Sequence, residues 1–313
     1  MESHTFIPRD YDVFAGLDVD KRSMSVTFSN HQGFIRSLRM PHKVEHLLNY
    51  VRKNFPDQKI AFAYEAGPTG YGLYDRIVAQ AYPCLIAAPS MIPKAPGQRV
   101  KTNRLDSRGL SENLRGGQLK SIHVPSVLYR ELRHLIQLRD TFVSEMVGMK
   151  QRIKSLLLLE GIEFPPAPAG SQWSFIVKKK LRKLPCSSTV RFKLDQLLDS
   201  LEFNEKQVLK TTQQIRRFCQ NDPELSQCIK YMMTVSGIGW IVASQLLARI
   251  GNWRELKNIR QLGGFLGLVP TSSKLPGRRS EKTVSSESSS ARFAAPSLAI
   301  ELRGSPLLRW RAN

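Results

Sequence analysis

Asp18 closes the apolar run Phe14-Ala15-Gly16-Leu17, Glu65 closes Ile60-Ala61-Phe62-Ala63-Tyr64, and Asp106 follows Lys101-Thr102-Asn103-Arg104-Leu105. Carboxylates are hard oxygen donors of the kind Mg2+ prefers. One or two such ions, held by side chains on rigid elements, activate an attacking oxygen and stabilise a leaving one in phosphodiester chemistry. Asp18, Glu65 and Asp106 are therefore candidate metal ligands and catalytic residues. The same spacing also fits a plain structural role, with Asp18 and Glu65 as solvated strand ends and Asp106 as a helix N-cap. Beside Asp106, Lys101, Arg104 and Arg108 can contact DNA phosphate or simply balance local charge.

Charge narrows the partner. The 313 residues carry 47 Lys and Arg against 26 Asp and Glu, a formal net charge of +21. The sequence pI is near 10.1. An acidic cleft in so basic a chain suits a polyanionic substrate, nucleic acid before an anionic membrane surface. No apolar stretch reaches the roughly 20 residues needed to span a bilayer, and the first residues lack a signal-peptide pattern, so the expected location is the cytoplasm, with no membrane partner. Four cysteines without a Cys-x-x-Cys pair indicate neither a zinc site nor a disulfide framework. His42 and His46 lie four residues apart but have no evident third ligand.

The elements that must position the acids alternate between strand and helix. Two strands are expected over 11–29 and a third over 33–40. An amphipathic helix over 43–54 turns Val44, Leu47, Leu48 and Val51 inward. A strand over 59–65, a helix over 70–81 and a short strand over 84–88 complete a mixed sheet with flanking helices, an α/β domain. A helix over 106–115 stops at Gly116-Gly117. From residue 126 the texture changes. Leu128, Leu132, Leu135, Phe142, Met146, Met149, Ile153 and Leu156 trace a heptad seam interrupted at Arg139, and Leu194, Leu197, Leu201, Val208, Ile215 and Phe218 trace a second. Such helices form a hairpin within one chain or pair between subunits as a homo-oligomer, and spacing leaves both open. Between them, Lys178, Lys179 and Lys180 begin a basic run that either tracks a phosphate backbone or is a solvated face. Further on, Gly237 and Gly239 form a Gly-x-Gly turn before an apolar helix. Such a turn lets backbone amides approach phosphate, as in helix-hairpin-helix DNA binders, or merely packs two helices tightly. The divisions expected are 1–125, an α/β domain with the acids; 126–222, coiled-coil helices with a basic linker; 223–271, a mainly α domain; and 272–313, a Ser- and Arg-rich tail of poorly ordered composition.

Five motifs in order resemble one family. Gly16-Leu17-Asp18-Val19-Asp20-Lys21, Tyr64-Glu65-Ala66-Gly67-Pro68-Thr69-Gly70, the string from Arg99 to Arg108, Ser236-Gly237-Ile238-Gly239, and the string from Leu262 to Pro270 are similar to those of the DEDD transposases. These are insertion-sequence recombinases related to the Piv invertase. The resemblance implies a ribonuclease-H-like (Holliday-junction-resolvase-like) N-terminal domain holding Mg2+, a coiled-coil middle and a mainly α C-terminal domain with a nucleophilic serine that forms a covalent link to DNA. It implies as partners the DNA of the element ends and target, and a structured guide RNA encoded by the element. On the family's four acidic positions stand Asp18, Glu65, Asn103 and Asp106. Asn103 supplies an oxygen without charge, so Asp20, two residues beyond Asp18, is a candidate substitute by strand alternation.

The serine is the larger departure. After Gly267-Leu268-Val269-Pro270 the chain reads Thr271-Ser272-Ser273-Lys274-Leu275-Pro276-Gly277, with Leu275 or Pro276 where the nucleophile is expected. Ser272, Ser273 and Ser280 are the nearest hydroxyls, and none is followed by Gly. One explanation is a change of reading frame near Ser273: with a Leu275 codon ending in T and CCG at Pro276, the neighbouring frame reads Ser-Gly. The other is a variant that uses Ser272 or Ser273. A copy without its serine would be inactive, and a nucleic-acid-binding protein without catalysis is the alternative function.

Overall fold

The structure is a computed structural model and describes residues 6–93, 103–167 and 172–251. The chain divides between Val124 and Pro125 into two compact units.

The first unit is a five-stranded mixed sheet, ordered β3-β2-β1-β4-β5. Its strands are β1 (Val13–Val19), β2 (Ser23–Asn30), β3 (Gly33–Pro41), β4 (Ile60–Glu65) and β5 (Cys84–Ala87). β1 pairs antiparallel with β2 and parallel with β4, which pairs parallel with β5. A central strand must be apolar on both faces, which accounts for the unbroken run Val13-Phe14-Ala15-Gly16-Leu17. β3 is an edge and exposes Phe34, Ile35 and Arg36.

Helices cover both faces. α1 (Val44–Asn54) and α2 (Gly72–Val78) lie on one, with Leu47, Val51, Leu73 and Ile77 packed in the core that holds Leu17, Phe28 and Phe62. On the other face, α3 (Asn103–Arg115) sets Leu110 and Leu114 on Phe14, Ala61, Ala63 and Leu85. α3 comes unusually near. A Cβ on Gly16 would collide with the Ser107 carbonyl oxygen and the Ser111 amide nitrogen, so the helix backbone rests on the strand. The helix begins at Asn103, three residues before the expected start, so Asp106 sits inside the first turn and is not an N-cap.

The second unit is helical. α4 (Val127–Leu159) and α6 (Ser188–Asn221) pack on each other, accompanied by α5 (Phe175–Leu181), α7 (Pro223–Met233) and α8 (Trp240–Ile250). Tyr129 and Leu132 of α4 meet Ile215 and Cys219 of α6, whereas Ile153 and Leu156 meet Leu194 and Leu198. The two long helices are therefore antiparallel arms of a hairpin within one chain. At the first of these ends, α7 and α8 add Leu225, Ile229 and Leu247; at the other, α5 adds Val177 and Leu181. Between the two cores the seam turns polar. Arg139 donates from Nε to Thr212 Oγ1 at 3.1 Å, and Asn204 and Thr211 are buried. This is the physical basis of the break at Arg139. Arg133 of α4 donates to the carbonyls of Ala248 (2.9 Å) and Arg249 (3.2 Å), capping the end of α8. Among the described residues, no helix is long and apolar enough to cross a membrane.

The Gly16 contact is with backbone on both sides, so no rotamer change can relieve an added methyl group. Gly16→Ala is expected to cost about 3 kcal/mol, as overpacking does, read as a lower midpoint in chemical denaturation. A loss below about 1 kcal/mol would show that α3 can lift away freely.

Candidate active site

Strand pleating sorts the carboxylates onto one face. Phe14 and Gly16 point toward α3, and Asp18, next in that alternation, points the same way. In β4, Ala61 and Ala63 face α3, and Glu65 continues their series. The parallel register pairs Leu17 with Tyr64, so its next step sets Asp18 beside Glu65, one strand spacing of about 4.8 Å away. Both acids end parallel strands, the edge at which open α/β sheets bind ligands.

The orientation of α3 brings in the third acid. Ser111 binds the Phe14 carbonyl, at 2.9 Å, and Ser29, at 2.6 Å, while Ser107 binds Thr27, at 2.9 Å. Thr27 is paired with Gly16, and Ser29 with Phe14. Thus α3 runs antiparallel to β1, and its N-terminal turn, which carries Asp106, lies toward the strand end that carries Asp18. Asp106 is half-buried. The three acids share a face and an edge, but no three His, Cys, Asp or Glu among the described residues are gathered closely enough to hold a metal ion as they stand. Asp18 and Asp20 are engaged by other groups of the chain. The donor set itself suits Mg2+, being all carboxylate and drawn from three elements that meet at one edge; Mg2+ also keeps several of its waters.

β1 ends at Val19, and Asp20 donates its backbone N–H to the Ser23 carbonyl at 2.9 Å in the turn to β2. The side chains of Asn103 and Arg104, and Lys101 altogether, lie outside the described residues.

Two groups of residues at this edge escaped the sequence reading. Tyr64, buried beneath Glu65 on the opposite face, donates its hydroxyl to the Gly70 carbonyl at 3.0 Å and so ties down the turn that follows Glu65. Burial holds its proton on well above the usual tyrosine range. The buried hydroxyls Thr27, Ser29, Ser107 and Ser111 form the other group. Their signal was present as period-two polar positions in an otherwise apolar strand, opposite serines spaced i, i+4 on a helix.

The remaining candidates divide by exposure. Arg108, on α3, is half-exposed, donating to Glu112 at 2.8 Å, with its guanidinium 5.2 Å from the centre of the Phe34 ring. Lys178 is turned inward, with only 11% of its side chain exposed, and pairs with Glu205 at 2.6 Å and Glu202 at 4.0 Å. Its charge is taken up within the chain, which removes it from any phosphate-facing set. Arg182 is similarly held, by Asp199 at 2.6 Å and by Glu202 at 3.4 Å. Lys179 and Lys180 are exposed. Gly237, with φ +88°, and Gly239, the residue before α8, form the turn between α7 and α8, with Ile238 N–H bound to the Val235 carbonyl at 3.1 Å. Ser272 and Ser273 lie outside the described residues.

Comparison with known proteins identifies the family. Residues 15–161 match the DEDD-type IS110 model, described as a transposase, and residues 229–294 match the model described as transposase IS116/IS110/IS902 family. The putative transposase y4qE of Sinorhizobium fredii (strain NBRC 101917 / NGR234) is 28% identical over 269 residues, covering 83% of this chain and 64% of that protein. The transposase for insertion sequence element IS1533 of Leptospira borgpetersenii is 21% identical over 258 residues, covering 81% of this chain and 74% of the relative. The transposase for insertion sequence element IS1111A of Coxiella burnetii (strain RSA 493 / Nine Mile phase I) is 21% identical over 207 residues, covering 63% of this chain and 53% of the relative. The chain thus spans less than two thirds of the length of the first and third of these relatives. With two models of one family matched in order along it, the chain belongs to the IS110 family of transposases.

Proposed function

We propose that this chain is the DNA-cutting and rejoining enzyme of an insertion sequence, built on a ribonuclease-H-like first unit. The observation that carries this reading is the pair Asp18 and Glu65 at the ends of neighbouring parallel strands, on the face where α3 brings Asp106. These three, with Asn103, would hold Mg2+; when bound, the ion would activate the attacking oxygen and stabilise the leaving one. The chain's own residues bind and orient. A charge of +21 draws DNA, and a guide RNA, to the surface. Arg108, held by Glu112 and over the Phe34 ring of β3, is one proposed nucleic-acid contact. Lys179 and Lys180, Lys101 and Arg104, and the Gly237 and Gly239 amides are the other proposed nucleic-acid contacts. Exposed Val147, Phe203 and Leu209 on the hairpin support a second copy of the chain as the partner of its coiled coil.

The serine step is assigned to 272–313. Sequencing the gene through codon 273 decides its form. A neighbouring frame that restores Ser-Gly and a helical continuation would make this copy inactive, and its absence would leave Ser272 and Ser273 as nucleophile candidates.

Incubation with Mg2+, element-end DNA and guide RNA is expected to give a covalent protein–DNA adduct that Asp18→Asn lowers at least a hundredfold, the scale expected when electrostatic support of the reacting oxygens is lost. If binding persists, weakens steeply with salt and yields no adduct, the chain is a nucleic-acid-binding protein without catalysis. Exposure separates the lysines in the same assay. Replacing Lys179 and Lys180 with Ala is expected to reduce the salt slope by about 2 and leave stability unchanged. Lys178→Ala is expected to cost about 2 kcal/mol in stability, because Glu205 loses its partner, and to leave the slope unchanged. Equal slopes for the two variants would remove Lys179 and Lys180 from the interface.

A further inference from the structure

We propose that the buried hydroxyls of β2 and α3 form a register lock that sets where Asp106 stands relative to Asp18 and Glu65, making Thr27, Ser29, Ser107 and Ser111 positioning residues of the active site. This rests on the reading of the three carboxylates as a metal site.

Each hydroxyl is accounted for. Ser111 has one proton, which it donates to the Phe14 carbonyl at 2.9 Å; it must then accept from Ser29, whose Oγ lies 2.6 Å away. Thr27 meets Ser107 at 2.9 Å and Ser37 at 2.6 Å. None of Thr27, Ser29, Ser107 and Ser111 is more than 1% exposed. Buried hydroxyls are costly without partners, so only alignments that satisfy all of them are favourable.

The periodicities of helix and strand make the lock specific. Ser107 and Ser111 are one i, i+4 step apart on α3, a rise of about 6.0 Å. Thr27 and Ser29 are two residues apart on β2, a rise of about 6.7 Å. The rungs coincide in the observed register, and sliding α3 by less than a full rung breaks both. An apolar interface lacks this property, because hydrophobic attraction is non-directional and tolerates small slides. Gly16 supplies the other half of the lock by letting the helix backbone settle onto β1 between the rungs. Asp106 immediately precedes the Ser107 rung, and Asp18 lies two residues beyond Gly16, so any slide of the helix is transmitted directly to the distance between the acids.

The test uses the full chain and Mn2+ alone as probe, in direct binding titrations, alongside thermal unfolding and hydrogen exchange of the α3 amides in the metal-free protein. Thr27→Val keeps shape and removes the hydroxyl. It is expected to weaken Mn2+ binding about tenfold or more, as loss of outer-shell support does, with faster α3 exchange and a folded protein. Thr27→Ser keeps the hydroxyl and should restore binding to within about twofold of the original, far inside that tenfold scale. Ser29→Ala, which breaks the second rung, should act as Thr27→Val does. If Asp18→Asn abolishes Mn2+ binding while Thr27→Val and Ser29→Ala leave it unchanged, the lock is overturned and the metal site stands. If Asp18→Asn leaves binding unchanged, the metal site itself is overturned. If Thr27→Val and Ser29→Ala both fail to fold, the hydroxyls are core stability and not a positioning device, which also overturns the proposal.

Discussion

Helix α3 rests its backbone on Gly16, and much of the first unit follows from that contact. At Gly16 the helix backbone is too close for any side chain, and β4 presents the small residues Ala61 and Ala63 on the same face. Where the gap is too narrow for apolar packing, Thr27, Ser29, Ser107 and Ser111 fill it with short, mutually bonded side chains. Strand alternation then requires that the next outward positions on the same face, Asp18 and Glu65, emerge just past the helix. The acids stand where they do because small residues precede them.

The second unit uses much of its positive charge internally. Lys178 and Arg182 bind the acidic side of α6, Arg191 donates to the carbonyls of Leu181 and Leu184, Arg139 closes the polar gap between the long helices, and Arg133 caps α8. A net charge summed from the sequence measures the long-range field that a polyanion meets. It does not say which cations can touch phosphate. Each arginine or lysine drawn into the helical core leaves the field unchanged and narrows the set of side chains able to reach a strand.

What was legible in the sequence was periodic. The apolar runs of β1 and β4 and the face of α1 show because burial on a sheet or helix repeats at 2 or 3.6 residues. The seams of α4 and α6 show for the same reason, although Tyr129, Ile136 and Leu157 broaden the buried side of α4 where other helices join it. The shared edge of Asp18 and Glu65 followed once both were placed at strand ends. The start of α3 was not legible, since Thr102, Asn103 and Asp106 are all residue types that cap helices and nothing local chooses among them. Nor was the inward turn of Lys178, because its partners Glu202 and Glu205 are distant in sequence and meet it only when α5 folds against α6. The hydroxyl ladder was visible as a pattern but not as a contact, because pairing Thr27 with Ser107 requires the tertiary fold.

The polar stretch between the two apolar cores of the α4–α6 hairpin divides it thermodynamically. Hydrophobic clusters melt cooperatively within themselves, whereas a stretch bridged by the Arg139–Thr212 hydrogen bond couples its neighbours weakly. The hairpin therefore holds two apolar cores in series, one clasped by α5 and the other by α7 and α8, and separate opening free energies are expected for the two ends.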